Sequence, residues 1–91
     1  MKRVYKYLLA PNVMMPKGAR ILCVQVQNGV PYLWALVPST EFETGMVTIE
    51  RRVFWVFSTG QEIPDELATH YIGTFQQGDG RLVFHVFEAI K

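Results

Sequence analysis

The sequence predicts an all-β domain: a small antiparallel barrel or sandwich of about six strands with one short helical turn. Three observations carry this. Short apolar runs are separated by turn residues a few to a dozen positions apart, the spacing of a small sandwich or barrel. Asn28-Gly29 lies between two strand-like flanks, and this dipeptide suits a type I′ hairpin turn because both positions tolerate positive φ. Several runs are apolar at both sets of alternating positions, which a sheet wet on one side would not be.

Taken in order, the first expected strand is Arg3–Leu9. A brief extended piece at Val13–Met15 precedes the second, Arg20–Gln27. The third, Pro31–Val37, follows the Asn-Gly turn, and Pro31 lacks an amide hydrogen, so it belongs at a strand start or on an outward edge. Pro38–Gly45 is polar and reads as an exposed connector, where recognition residues often sit. The fourth strand is Thr48–Phe57. Ile63–Ala68 is the one helix-like stretch. Pro64 suits a first helical position and Asp65 and Glu66 suit a helix N-terminus. It is too short to stand alone, so one turn is expected, packing Ile63 and Leu67 onto an end of the sheet. The fifth strand, Thr69–Phe75, and the sixth, Arg81–Ala89, are joined by a tight turn at Gln77-Gly78-Asp79-Gly80.

Alternation then assigns faces. Val53, Trp55 and Phe57 share one face of the fourth strand, opposite Phe54 and Val56. Leu82, Phe84 and Val86 oppose Val83, His85 and Phe87, and Tyr32, Trp34 and Leu36 oppose Leu33, Ala35 and Val37. In the second strand Leu22, Val24 and Val26 oppose Ile21, Cys23 and Gln25. Strands with two apolar faces need cover on both. With almost no helix, the second layer must be another sheet, a barrel curl or a partner subunit. One apolar face is expected to form the core, and part of the other a homodimer or partner interface, where Trp and Tyr are enriched.

At 91 residues there is room for one domain, spanning 1–91. A content of 49% hydrophobic and 13% aromatic residues is enough apolar surface to offset the entropy of ordering. Nine basic against eight acidic residues leave a net charge of +1. That balance argues against a dedicated nucleic-acid binder, though a local basic patch remains compatible with it. A single cysteine, Cys23, makes no internal disulfide, and a reducing cytosol is the expected compartment. The charged start Met1–Tyr7 is followed only by Leu8-Leu9-Ala10 before Pro11, so neither a signal peptide nor a membrane span is expected.

Nothing in the spacing calls for catalysis, a metal or a cofactor. His70 and His85 are the only histidines, and no H-x-x-x-H, C-x-x-C, G-x-S-x-G or P-loop pattern is present. Cys23 between Leu22 and Val24 reads as a small core hydrophobe. His85 within Val83–Phe87 reads as a hydrogen-bonded core or interface residue, and His70 as half exposed. Thr59-Gly60-Gln61 reads as an ordinary turn. Arg51 and Arg52 fall on opposite faces and read first as solubility and edge protection; either one beside Trp55 or Tyr71 would be compatible with a nucleotide or single-strand site. The candidate binding residues are therefore Trp34, Arg51, Arg52, Trp55, Tyr71 and His85.

A wider set of residues carries a resemblance. Val4-Tyr5-Lys6-Tyr7, Pro16–Leu22, Gln25–Gly29, Leu33–Val37, Thr59–Pro64, Tyr71–Phe75 and Leu82–Glu88 together cover most of the chain. In that order they resemble a family of short phage- and prophage-encoded proteins of unknown function, from which the loop Pro38–Thr48 departs by its greater length. The family supplies no catalytic residues to carry over. The resemblance implies an accessory role in the host cytoplasm: inhibiting a host defence protein, sequestering a signal nucleotide, or modulating a host enzyme. An interaction protein with a host protein as partner is the leading expectation, a nucleotide binder the alternative and an enzyme the least favoured.

Overall fold

The structure, a computed structural model, describes residues 1–38 and 48–90. It is a sandwich of two antiparallel sheets. The strands are β1 (Lys2–Leu8), β2 (Asn12–Pro16), β3 (Arg20–Gln27), β4 (Val30–Pro38), β5 (Ile49–Ser58), β6 (Thr69–Gln77) and β7 (Leu82–Ala89). The smaller sheet runs β1-β4-β3 and the larger β2-β5-β7-β6. The described part of the expected connector begins and ends with Pro38, which belongs to β4; the rest of it lies outside the described residues.

The hairpin signals act as local chemistry requires. Asn28 and Gly29 take φ of 52° and 78°, the pair of left-handed conformations a type I′ turn needs. The turn after β6 closes with the Arg81 amide donating to the Gly78 carbonyl. The extended piece at Val13–Met15 is a full seventh strand. Its partner is β5, with Val13 opposite Arg52 and Met15 opposite Glu50. The chain changes sheets just before it. Leu9 N–H still donates to Pro31 O of the smaller sheet, whereas Pro11 O accepts from Phe54 N–H of the larger.

Between the sheets lie Val13, Met15, Ala19, Val24, Leu33, Ala35, Val37, Phe54, Phe75 and Val86. Burying them is the main force holding the layers together. The barrel option is not taken. β3 packs against β6 but no hydrogen-bonded ladder joins them. They meet at Val24 and Gly73, where a Cβ on residue 73 would come within 2.9 Å of Val24 Cγ1.

The single turn expected within Ile63–Ala68 forms, with the Leu67 amide donating to Pro64 O and no helix around it. Its packing is corrected: Leu67 is half-buried, but Ile63 stays 38% exposed. The faces of β3 are corrected as well. In β3 the register shifts between Ile21 and Cys23, so Ile21 pairs with Ala35 and Cys23 with Trp34. One extra residue flips the alternation. Ile21 therefore packs on the core with Val24 and Val26, while Cys23 looks outward. No described helix is long and apolar enough to cross a membrane.

Candidate functional site

The larger sheet has an inner face on the core and an outer face away from it. Strand period and register place Arg51, Val53, Trp55 and Phe57 of β5 outside, with Val83, His85 and Phe87 of β7 and Tyr71 and Thr74 of β6. Trp55 and Tyr71 both stand opposite Phe87, so three aromatic side chains form a row across three strands. Tyr71 and Phe87 meet edge to face at 5.5 Å between ring centres, and Phe57 and Phe87 at 5.9 Å. Edge-to-face pairs add stability beyond burial alone. Met14 of β2, opposite Arg51, extends the row's border.

Topology decides how much of this face is open. β5 and β6 are each antiparallel to β7, so they run the same way with β7 between them. The link from Thr59 to Ala68 must therefore cross β7. Thr59 donates its amide to Val83 O and its hydroxyl is hydrogen-bonded to His85 Nε2 at 2.8 Å, which starts the crossing on the outer face. It ends where Ile90 N–H donates to Ala68 O. Phe57 on this face is only 7% exposed, as a chain segment crossing there requires. Trp55 and Tyr71 stay 42% and 56% exposed. Part of the second apolar face is thus covered by the protein's own chain, and part is open.

His85 is the polar centre of the face. Its Nδ1 is hydrogen-bonded to Thr74 Oγ1 at 2.9 Å, and Thr74 Oγ1 in turn to the Tyr71 hydroxyl. The chain Thr59–His85–Thr74–Tyr71 fixes the ring and, through it, the angle of Tyr71. A hydroxyl against an imidazole is the first half of a nucleophile–base pair. Here the second partner is also a hydroxyl, which orients the ring but brings no negative charge to balance a protonated imidazole. The arrangement fixes the orientation of the imidazole from both of its nitrogens.

Arg52 points the other way. Its Nε and Nη2 donate to the two carboxylate oxygens of Glu88, the latter at 2.8 Å, and its Nη1 donates to Ala19 O. Glu50 lies 3.8 Å from Nη1 and His70 Nε2 lies 3.6 Å from Glu88. The Glu88 hydrogen bonds hold Arg52 above the usual arginine range. Burial works against them, and the charges of Glu88 and Glu50 work with them. Glu88 is 6% exposed. A cavity of about 360 Å³ borders the pair, lined also by Val53, Ala89 and Ile90. Its cation is already bound within the fold, so the cavity houses a structural ion pair.

Of the expected residues, the structure brings Arg51, Trp55, Tyr71 and His85 onto one face. It turns Arg52, part-buried, to the inner side of the larger sheet and puts Trp34 on the other sheet, paired with Lys6 and Cys23. Phe57, Phe87, Thr59, Thr74 and Met14 join the face without having been singled out. Phe87 was readable from alternation. Thr74 was not, because β6 carries its own register shift between Tyr71 and Gly73. Among the described residues no group of three His, Cys, Asp or Glu is placed to hold a metal ion.

The chain belongs to the DUF7352 family, a domain of unknown function whose model matches residues 1–91. No curated protein and no solved structure matches it significantly.

Proposed function

We propose that this protein acts by binding another protein, without catalysis, through the open half of the larger sheet's outer face. The observation that carries this reading is the row Trp55–Phe87–Tyr71, bordered by Met14 and Arg51. Aromatic residues, methionine and arginine are the types enriched where proteins meet. Partly exposed Trp and Tyr beside packed, less accessible rings are also the usual anchors of such contacts. The His85 network holds the row in place before a partner arrives, which lowers the cost of ordering on binding. The resemblance to short phage-encoded proteins makes a host defence protein in the cytoplasm the partner to seek first, and a second copy of this chain the next. A nucleotide pocket built on Trp55 with both arginines has lost one of its cations, since Arg52 is spent on Glu88.

The test is capture from host lysate by immobilised wild type and by a Trp55→Ala/Tyr71→Ala double variant. A discrete partner held by the wild type and weakened about tenfold or more by the double variant supports the reading. A partner held equally by both sinks it.

A further inference from the structure

We propose that the outer face of the smaller sheet binds single-stranded nucleic acid, with bases stacked on Tyr32 and Trp34 and phosphates met by Lys2, Lys6 and Arg20. This site is separate from the protein-binding face and does not rest on it.

The near-neutral total conceals a segregation. Strands β1, β3 and β4 carry Lys2, Arg3, Lys6 and Arg20 and no Asp or Glu, whereas the strands of the larger sheet carry Arg51 and Arg52 against Glu50 and Glu88. Register then places the cations. Lys2 stands opposite Pro38, Lys6 opposite Trp34 and Arg20 opposite Leu36, all on the side of β4 that faces away from Leu33, Ala35 and Val37. The central strand thus presents two aromatic side chains, and the strands on either side present exposed cations. Gln25, opposite Tyr32, adds an amide beside the rings.

Lys6 reports on those rings directly. Its ammonium sits 4.6 Å from the Tyr32 ring centre and 5.9 Å from that of Trp34, and it donates to Gln27 Oε1. Both rings are half-buried, with the Trp34 indole nitrogen turned inward, and the surface they leave outward is the one Lys6 now covers. A base stacking on the rings takes the ammonium's place, and the ammonium moves to the adjoining phosphate; stacking is the stronger of the two contacts at an exposed site.

The same observations separate this occupant from its rivals. A second copy would set cations against cations. An acidic peptide would use the cations and leave the rings idle. A lone nucleotide is too short: Lys2 and Lys6 are four residues apart on one strand, about 13 Å. Stacking platforms framed by basic side chains are how single strands are held without sequence preference.

The experiment is fluorescence anisotropy of a labelled oligo-dT of about 12 nucleotides with the full chain at about 50 mM salt. Binding is expected with a log–log salt slope of about −2, from three phosphate contacts at about 0.7 each. Tyr32→Ala weakens binding about tenfold. Lys2→Gln/Lys6→Gln/Arg20→Gln flattens the slope, and because these side chains are exposed the fold persists even if Tyr32→Ala disturbs it. Arg81→Gln, which removes a cation from the turn before β7, leaves binding unchanged. No anisotropy change overturns the proposal. So does equal affinity for polyphosphate of matched charge, or a loss with Arg81→Gln equal to that from the triple variant.

Discussion

The two sheets treat charge in opposite ways. The smaller sheet turns an apolar wall of Leu33, Ala35 and Val37 inward and keeps Lys2, Lys6 and Arg20 on its outside. The larger sheet does the reverse. It buries the Arg52–Glu88 pair on its inner side and shows solvent a mostly aromatic face with Arg51 at its border. A buried ion pair is costly to desolvate and tolerable only when its hydrogen bonds are complete. Taking Arg52 inward leaves the aromatic row nearly uncharged, as a protein contact favours. Keeping Lys2, Lys6 and Arg20 outside gives that face an electrostatic pull. One composition, close to neutral, thereby yields two chemically distinct surfaces.

The sharpest way to break the comparison is at the buried pair. Glu88→Gln removes the charge that Arg52 needs and leaves a guanidinium part-buried with half its partner. The expected loss is about 3 kcal/mol of folding stability. If the pair serves shape and not net stability, Arg52→Met/Glu88→Leu recovers most of that loss and stays within about 1 kcal/mol of wild type. Urea unfolding of the three proteins measures both. A single Glu88→Gln variant as stable as wild type would mean the pair is solvated and the contrast between the sheets is false.

The junction of the sheets gives a smaller effect. At Gly73 a methyl group would press on Val24, itself buried between the layers. Gly73→Ala is expected to cost about 1–3 kcal/mol through overpacking. Adding Val24→Ala should return part of that loss, because the space it vacates is the space the methyl needs. Additive losses in the double variant would show that β3 and β6 do not meet there.

How much of this was legible in the sequence follows from the range of each interaction. The Asn28-Gly29 hairpin is specified by two adjacent residues and was readable. So was the all-β class, and so was the separation of Arg51 from Arg52 by strand alternation. Alternation failed at Ile21–Cys23, where a register shift inserts a residue, and the shift at Tyr71–Gly73 makes β6 equally unreadable, because a bulge is decided by the partner strand. β2 looked like a fragment because its partner lies far along the chain. The destination of Arg52 depends on Glu88, 36 positions away, and the Thr59–His85 contact spans 26. The signal at Pro64–Leu67 was local chemistry and gave the one turn expected of it, but where that turn packs depends on distant strands, and Ile63 stays exposed. Of the candidate residues, Trp34, Trp55 and Tyr71 were singled out by type; that Trp34 stands on one sheet and Trp55 and Tyr71 on the other was not readable.

The mildest test probes the dry side of the smaller sheet. Tyr7 packs against the core opposite Leu33. Burial, and then the neighbouring Tyr5, raise its pKa above the ordinary value of 10.0. A tyrosine whose folded pKa is raised binds its proton more tightly in the native than in the unfolded state. Its contribution is therefore fully present below pH 10 and is lost as pH rises from there through the folded value. Stability should be flat on this account at neutral pH and fall in the alkaline range. Tyr7→Phe removes the ionisable group while keeping the ring, so the alkaline fall should become shallower, with little change at pH 7. Urea midpoints at pH 7 and above pH 10 for both proteins read the difference. An identical alkaline fall in Tyr7→Phe would place Tyr7 in water, and the inner wall of the smaller sheet would then be less dry than its contrast with the larger sheet requires.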